Sequence, residues 1–453
     1  MNDAIASHPE VTNKVKATLS RHILADGFDF VMDLEKSHGS WIYDKITNTE
    51  YLDMFSMFAS AAIGYNHPYL VENAAWLGKM AINKPTLADV YSDEYAQFME
   101  VFERVAIPKE LQYAFFISGG TLAVENAMKA CFDWKTRKNF DKGISKEAGI
   151  CIHFRQAFHG RSGYTLSLTN TSDPRKHQYF PKFDWPRILN PYLKFPITEE
   201  NLEETIKNEN LALIQIEEAI LSNPDQVACI IIEPIQAEGG DNHFRDEFFQ
   251  GLRKICDENE VLLIFDEVQT GIGITGKMWA FQHFSVIPDV ISFGKKTQVC
   301  GILANKEKFD EVEHNVFVES SRINSTFGGN FIDMMRLKLT LEVIEKENLV
   351  DNAKTVGEHL LNRLQELAAK YPNKISNARG RGLMCAIDLP TCEERDALRD
   401  LLYRENLIIL SCGDHSLRFR PHLNVTKEEI DLSISKFEKV LDAMAVRAED
   451  SSI

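Results

Sequence analysis

Asp289-Val290-Ile291-Ser292-Phe293-Gly294-Lys295-Lys296-Thr297-Gln298 sets an apolar run directly against a glycine and two lysines. A short apolar run of this kind, without polar alternation, is the pattern of a strand buried on both faces. Its end delivers an ammonium group to the edge of a core. Upstream stands a second such run, Val261-Leu262-Leu263-Ile264-Phe265, which ends in Asp266-Glu267-Val268-Gln269. Working outward, Tyr113-Ala114-Phe115-Phe116-Ile117 predicts another strand, as do residues 149–154 and 228–232. Ser118-Gly119-Gly120 opens a helix that carries Val124, Ala127, Met128 and Cys131 at i, i+3, i+4 and i+7. Strands of this kind separated by helical stretches predict an α/β chain whose mostly parallel sheet is covered on both faces.

The rhythm of strand, turn and helix runs from about residue 61 to 330. Residues 1–60 mix short helical and strand patterns, and residues 331–453 change to long amphipathic helices with a few short strands. The last of these helices opens with Thr426-Lys427-Glu428-Glu429, a capping box. The expected organisation is therefore a large domain over 61–330 and a smaller α+β domain over 331–453, to which the N-terminal segment 1–60 contributes. Among 453 residues, 44% are hydrophobic and 26% charged, an ordinary globular composition. The net charge of −17, with no basic stripe, argues against a nucleic-acid partner. The N-terminus has no apolar leader and no run is long enough to span a bilayer, so no membrane partner is expected. Eight cysteines form no CxxC pair, and several sit in apolar runs, as in Ala228-Cys229-Ile230-Ile231-Ile232. That pattern predicts reduced core thiols, a cytoplasmic location and no metal site.

In open α/β sheets, ligands gather outside the carboxyl ends of the strands. Five segments stand there: Ser118-Gly119-Gly120, Phe158-His159-Gly160-Arg161, Glu233 to Gly240, Asp266, and Lys295. Each alone has a bland reading. Ser-Gly-Gly before a helix is often a tight turn, Asp266 alone could be an N-cap, Phe158 could be core, and lysines usually end in solvent. His153 and His159 read as hydrogen-bonded structural histidines, since no second histidine stands at ligand spacing. Their shared position and order outweigh those readings. Together they could hold a phosphate, an aromatic ring, a pyridinium and an imine, which is what pyridoxal 5'-phosphate (PLP) requires.

Ile264-Phe265-Asp266-Glu267-Val268-Gln269-Thr270-Gly271 through Thr275-Gly276, followed by Phe293-Gly294-Lys295, resembles the signature of the class III (ω-) aminotransferases. Gly64-Tyr65-Asn66-His67-Pro68, Phe158-His159-Gly160, the stretch from Glu233 to Gly240 and Arg379-Gly380-Arg381-Gly382-Leu383-Met384 match further landmarks in the same order. The likeness runs from about residue 30 to 445. It implies PLP fold type I, the aspartate-aminotransferase-like architecture. The chain departs from the common pattern at Gly120 to Asn126, at Ile272 and Ile274, and in the doubled lysine 295–296. Those departures, with Arg161-Ser162-Gly163-Tyr164 and Ser321-Arg322-Ile323-Asn324-Ser325-Thr326, resemble one branch of the family. That branch moves the ε-amino group of L-lysine to 2-oxoglutarate, giving 2-aminoadipate 6-semialdehyde and L-glutamate.

The resemblance implies a role for each residue. Lys295, rather than Lys296, carries the imine and acts as the base, and Asp266 pairs with the pyridine nitrogen. Phe158 stacks on one ring face, Val268 packs on the other, and Gln269 reaches the phenolic oxygen. Gly119 and Gly120 donate to the phosphate, while Thr326 reaches the phosphate in the other subunit of a homodimer with shared active sites. Arg161 anchors the substrate carboxylate with help from Asn324. Glu238 masks Arg418 while lysine is bound and leaves it for 2-oxoglutarate. The rival readings are a family member acting on ornithine, 4-aminobutyrate or a diamine, then a PLP aminomutase or racemase. A PLP-binding regulator would need a DNA-reading domain that this acidic chain does not show.

Overall fold

The computed structural model describes residues 14–450, and of 445–450 only the backbone. Near the N-terminus β1 (Trp41–Tyr43) and β2 (Glu50–Asp53) form an antiparallel pair. The central strands are β3 (Tyr113–Ile117), β4 (Ile150–Phe154), β5 (Arg187–Ile188) and β6 (Val227–Ile232). A two-stranded ribbon of β7 (Ile235–Gln236) and β8 (Asn242–His243) follows, then β9 (Leu262–Asp266), β10 (Val290–Phe293) and β11 (Cys300–Ala304). The last third supplies β12 (Ser376–Arg381), β13 (Met384–Asp388), β14 (Leu407–Ile408), β15 (Leu410–Cys412) and β16 (Ser416–Phe419).

Seven strands make the large sheet, in the order β3-β11-β10-β9-β6-β4-β5. Neighbours from β10 to β5 pair in parallel, and β11 alone runs against both of its neighbours. All five strands expected from the sequence are present, within one residue of the expected ends. Two more were not expected. β11 is a short run weakened by Gly301, a residue that usually costs a strand interior stability. Here a Cβ on Gly301 would collide with the Phe115 carbonyl oxygen of β3, so the neighbouring backbone requires the glycine. β5 is only two residues long and leaves almost no periodic signal.

Both faces of the sheet are covered, which explains why its strands do not alternate. Leu262 and Ile264 pack into one cluster with Val124, Ala127, Met128 and Cys131 of the helix Gly120–Asp141. Leu263 and Phe265, pointing the opposite way, join the main core with Phe248, Phe249 and Leu252 of the helix Asp246–Asn259. Each such side chain contributes about 1.5–3 kcal/mol on leaving water. The sheet edge is thereby fixed, and with it the residues that follow each strand.

The smaller sheet runs β12-β13-β16-β15, all antiparallel. β2 pairs in parallel with β14, so the N-terminal segment joins the last third of the chain. The final helix, Lys427–Asp450, begins as the sequence predicts. Thr426 Oγ1 accepts from Glu429 N at 3.2 Å, and Glu429 Oε2 accepts from Thr426 N at 2.9 Å.

Candidate active site

Asp266 ends β9 and is 5% exposed. Its Oδ1 accepts from Val268 N at 3.1 Å and from Ser292 Oγ of β10 at 3.0 Å. His159 Nδ1 lies 2.7 Å from Oδ2 and donates to it. A carboxylate held on three sides cannot rotate, so its remaining lone pair has a fixed direction. His159 thus does more than satisfy itself in the core, the role its sequence context suggests; it orients Asp266. Its buried Nε2 has no hydrogen-bond partner among the described residues. Glu233, after β6, is raised to about 7 by burial, with the Asp266 charge adding to the rise. It accepts from Phe158 N at 3.1 Å and from Ala237 N at 2.9 Å, fastening the Phe158 loop to the turn that carries Glu238.

The two lysines at the end of β10 part company. Lys295 has a φ of +54°, the left-handed conformation that a bulky side chain seldom adopts. Such strain is often retained where it aims a functional group. Burial, with Arg418 nearby, lowers its amine to about 8, against the opposing pull of Glu238. Its Nζ has no hydrogen-bond acceptor among the described residues. Lys296 is 2% exposed and points elsewhere. Its Nζ donates to Gln269 O at 2.8 Å and to Ala59 O at 3.4 Å. Burial holds its amine well below the ordinary lysine range, with Arg420 and Lys295 adding to the effect. Lys296 is therefore committed to backbone carbonyls, and Lys295 is the free amine.

The carbonyl of Ala59 belongs to a turn that sequence reading does not find. Ser56, Met57, Phe58 and Ala59 are four consecutive residues at positive φ, none of them glycine. Asp53 Oδ1 accepts from Phe55 N and Ser56 N at 2.8 and 2.9 Å, and Ser56 Oγ donates to Arg420 O at 2.5 Å. Gln298 Nε2 donates to Ser60 O at 2.7 Å. The strained turn is thus tied to the loop that carries Lys295. Arg420, 1% exposed, is in turn paired through both Nη atoms with the buried Asp241 carboxylate.

Gly119 and Gly120 lie where β3 gives way to the helix Gly120–Asp141. Gly119 has a φ of +100° with nothing within 4 Å of the space a Cβ would take. At Gly120 a Cβ would stand 3.2 Å from Val268 Cγ1, and at Gly294 one would stand 3.3 Å from the same atom. Val268 therefore sits between the Gly120 turn and the end of β10. The helix N-terminus presents free N–H groups and the positive end of its dipole to this space. Phe158 and Val268 are half-buried. Gly160, at φ +130°, packs on Thr121, whose Oγ1 bonds Ser162 Oγ and Thr165 Oγ1 at 3.0 and 2.7 Å.

Glu238 and Arg418 meet in an ion pair. Arg418, on β16 and 4% exposed, donates from Nη2 to Glu238 Oε2 at 2.8 Å. Its Nε and Nη1 are buried and have no partner among the described residues. Burial opposes the charge on Glu238, but Arg418 and Lys176 together hold the carboxyl below its usual range. Lys176 was not anticipated. It donates from Nζ to Glu238 Oε1 at 2.6 Å, across 62 residues of sequence. Gln269, in the turn after β9, reaches Arg420, with Oε1 accepting from Nε at 3.4 Å.

Arg161, Asn324 and Thr326 are exposed. No described side chain pairs with the Arg161 guanidinium. Asn324 Oδ1 accepts only from Ser325 N, at 2.7 Å.

These residues fit PLP. The glycine turn leaves room for a phosphate at a helix N-terminus, Asp266 offers an oriented carboxylate, and Lys295 a free amine near neutrality. The match extends to whole proteins. Residues 24–441 match the family model "Aminotransferase class-III". The chain is 50% identical to an L-lysine-epsilon aminotransferase of Mycobacterium tuberculosis, over 97% of each chain. It is 48% identical to one of Amycolatopsis lactamdurans, over 92% of this chain and 93% of that one. Its fold superposes on the lysine aminotransferase from M. tuberculosis in the internal aldimine form with a TM-score of 0.93, at 49% identity, covering 95% and 99% of the two chains. Sequence, fold and strand-end geometry agree: this chain belongs to the class III aminotransferases.

Proposed function

We propose that this chain transfers the ε-amino group of L-lysine to 2-oxoglutarate with PLP as cofactor, giving 2-aminoadipate 6-semialdehyde and L-glutamate. The observation that carries the reading is Arg418, a buried guanidinium with two unpartnered nitrogens, capped by a removable carboxylate, Glu238. A site of this kind can present a neutral wall to one substrate and a cation to another. The identity with lysine-ε aminotransferases over nearly the whole chain supports lysine as the amine.

The two substrates set different demands. L-Lysine has one carboxylate, at the far end from the ε-nitrogen, and a cationic α-amine beside it. A distal guanidinium binds that carboxylate bidentately and so directs the ε-end inward; Arg161, without a side-chain partner among the described residues, suits this task, and Asn324 would assist it. 2-Oxoglutarate brings a second carboxylate close to the reacting carbon. Arg418 can take it once Glu238 leaves.

PLP, when bound, supplies a ring that withdraws electrons from the carbon bearing the transferred nitrogen. Asp266, oriented by His159 and Ser292, keeps a proton on the ring nitrogen. Gly119 and Gly120 would hold its phosphate by their N–H groups, Phe158 and Val268 would flank the ring, and Gln269 would serve its phenolic oxygen. Lys295 removes a proton from Cε of lysine and later returns one to C2 of the keto acid, work suited to an amine near 8.

A homodimer with shared sites belongs to the same reading. Thr326 lies exposed beside Phe327 and Gly328, which pack near Lys84 and Leu87. The adjoining Val90 and Tyr91 are 52% and 76% exposed. An apolar surface of this kind at a phosphate-reaching threonine suits burial against a second copy. The division into 1–60, 61–330 and 331–453 is also part of this reading, supported at its first segment by the β2–β14 pairing. We place the protein in the cytoplasm, in keeping with eight free cysteines. No described helix is long and apolar enough to cross a membrane.

The test is isotopic. Purified protein with PLP, 2-oxoglutarate and lysine carrying 15N at either nitrogen should pass the ε-label to glutamate and retain the α-label. Transfer of the α-label, or none with lysine but transfer from ornithine or 4-aminobutyrate, would overturn the substrate assignment.

A further inference from the structure

Glu238 carries two cations, and only one of them has a place in the substrate argument. Arg418 Nη2 holds Oε2 at 2.8 Å, and Lys176 Nζ holds Oε1 at 2.6 Å. The three form a gradient from core to solvent, their side chains being 5% exposed in Arg418, 21% in Glu238 and 27% in Lys176. Lys176 closes a single helical turn, Pro174–Lys176, capped by Asp173 Oδ1 accepting from Arg175 N at 3.1 Å. The loop around it is pinned by Lys182 Nζ donating to His177 O at 2.8 Å and by Phe183 N donating to Ser167 Oγ at 2.9 Å. Lys176 is thus presented from an anchored loop, on the solvent side of the carboxylate.

This placement matters because Glu238 must give up Arg418 when a dicarboxylate enters. A carboxylate that loses its only buried partner must be rehydrated or left unpaired, and either raises the cost of opening. A carboxylate already held by its other oxygen can turn about that contact and stay paired. We propose that Lys176 is a positioning residue that retains Glu238 in the open setting, and so favours admission of the dicarboxylate keto acid. Amine donors with a single distal carboxylate leave Glu238 on Arg418 and draw nothing from Lys176. The inference rests on the reading of Glu238 and Arg418 as the selector between the two substrates.

The experiment separates the half-reactions. PLP-loaded wild type, Lys176→Met, Lys176→Arg and Glu238→Gln are compared for single-turnover reaction with lysine and, from the aminated cofactor form, with 2-oxoglutarate. Binding of glutarate, an unreactive dicarboxylate, to each PLP-loaded protein is measured by calorimetry. Lys176→Met should weaken glutarate and raise the 2-oxoglutarate KM by about tenfold, the worth of one charge-assisted hydrogen bond in a partly buried setting. The lysine half-reaction should stay within about twofold, and Lys176→Arg should restore most of the loss. Unchanged glutarate binding in Lys176→Met, or an equal loss in both half-reactions, overturns the proposal. Glu238→Gln distinguishes the two levels. If it changes the lysine to 2-oxoglutarate ratio while Lys176→Met changes nothing, Lys176 alone is wrong; if the ratio does not move, the selector reading falls as well.

Discussion

The cofactor end of the site and its carboxylate end are built differently. Around Asp266 the carboxylate is held on three sides: by Ser292 from the next strand, His159 from the loop after β4, and Val268 N from the same turn. At the other end Arg418 lies beneath the Glu238 carboxylate, and Arg161 and Asn324, proposed for the substrate, stand exposed, Arg161 with no side-chain partner among the described residues. The contrast follows from the tasks. A group bound through many turnovers rewards rigid contacts. Two substrates that alternate in one pocket require contacts that can be made and broken.

The largest expected effects lie at the rigid end. Lys295→Ala should lower turnover on the order of 10⁴-fold or more, because base and attachment point are lost together. Borohydride reduction and peptide mapping of the wild type should place the pyridoxyl group on Lys295. Lys296→Met should keep that attachment; a label on Lys296 would reverse the assignment drawn from its two carbonyl contacts. Asp266→Asn should cost on the order of 10³-fold in kcat, as loss of a preorganised electrostatic partner does, with normal far-ultraviolet circular dichroism. A loss below tenfold would mean that the carboxylate is not essential to the cofactor end.

Stability gives the next test. Arg420→Met strands the Asp241 carboxylate, 0% exposed, and should destabilise by about 3–5 kcal/mol in denaturant titration. It should also loosen the Ser56–Ala59 turn, since Ser56 Oγ bonds the Arg420 carbonyl. At the open end the effects should be smaller and selective. Arg161→Ala should raise the lysine KM by about 10–100-fold with a lesser change in kcat, the mark of a lost charge-assisted contact. Equal loss in kcat and KM would move Arg161 out of the binding role. The smallest effect concerns pH. Below about 8 the Lys295 amine is protonated and cannot attack an aldehyde; above it the free base predominates. The rate of reconstituting cofactor-free protein with PLP should therefore climb toward pH 8 and level off above it, and Lys296→Met should keep that profile.

Much of the rigid end was legible in the sequence because it follows from local pattern. Leu262 to Phe265 and Val290 to Phe293 read as buried strands, and whatever follows them must reach the sheet edge, so Asp266 and Lys295 could be placed without coordinates. What escaped depends on distant partners. Cys300–Ala304 forms a strand by pairing with β10 and β3, and tolerates Gly301 because the Phe115 backbone leaves no room for a Cβ there, facts no window of residues contains. The left-handed Ser56–Ala59 turn has no glycine to announce it and is held by Asp53, Lys296 and the Arg420 carbonyl. Lys176 meets Glu238 only after the chain has folded through β5 and β6. His159 was visible but read as a core histidine, since nothing local shows that Asp266 lies beside it.

The most direct test of the account is a single half-turnover: PLP-loaded protein with excess L-lysine, no keto acid, cofactor absorbance and a semialdehyde trap. The account predicts loss of the resting cofactor band and recovery of one equivalent of the cyclised 6-semialdehyde per site. A band that persists with lysine but bleaches with ornithine or 4-aminobutyrate would contradict it, leaving the family intact and the lysine assignment wrong.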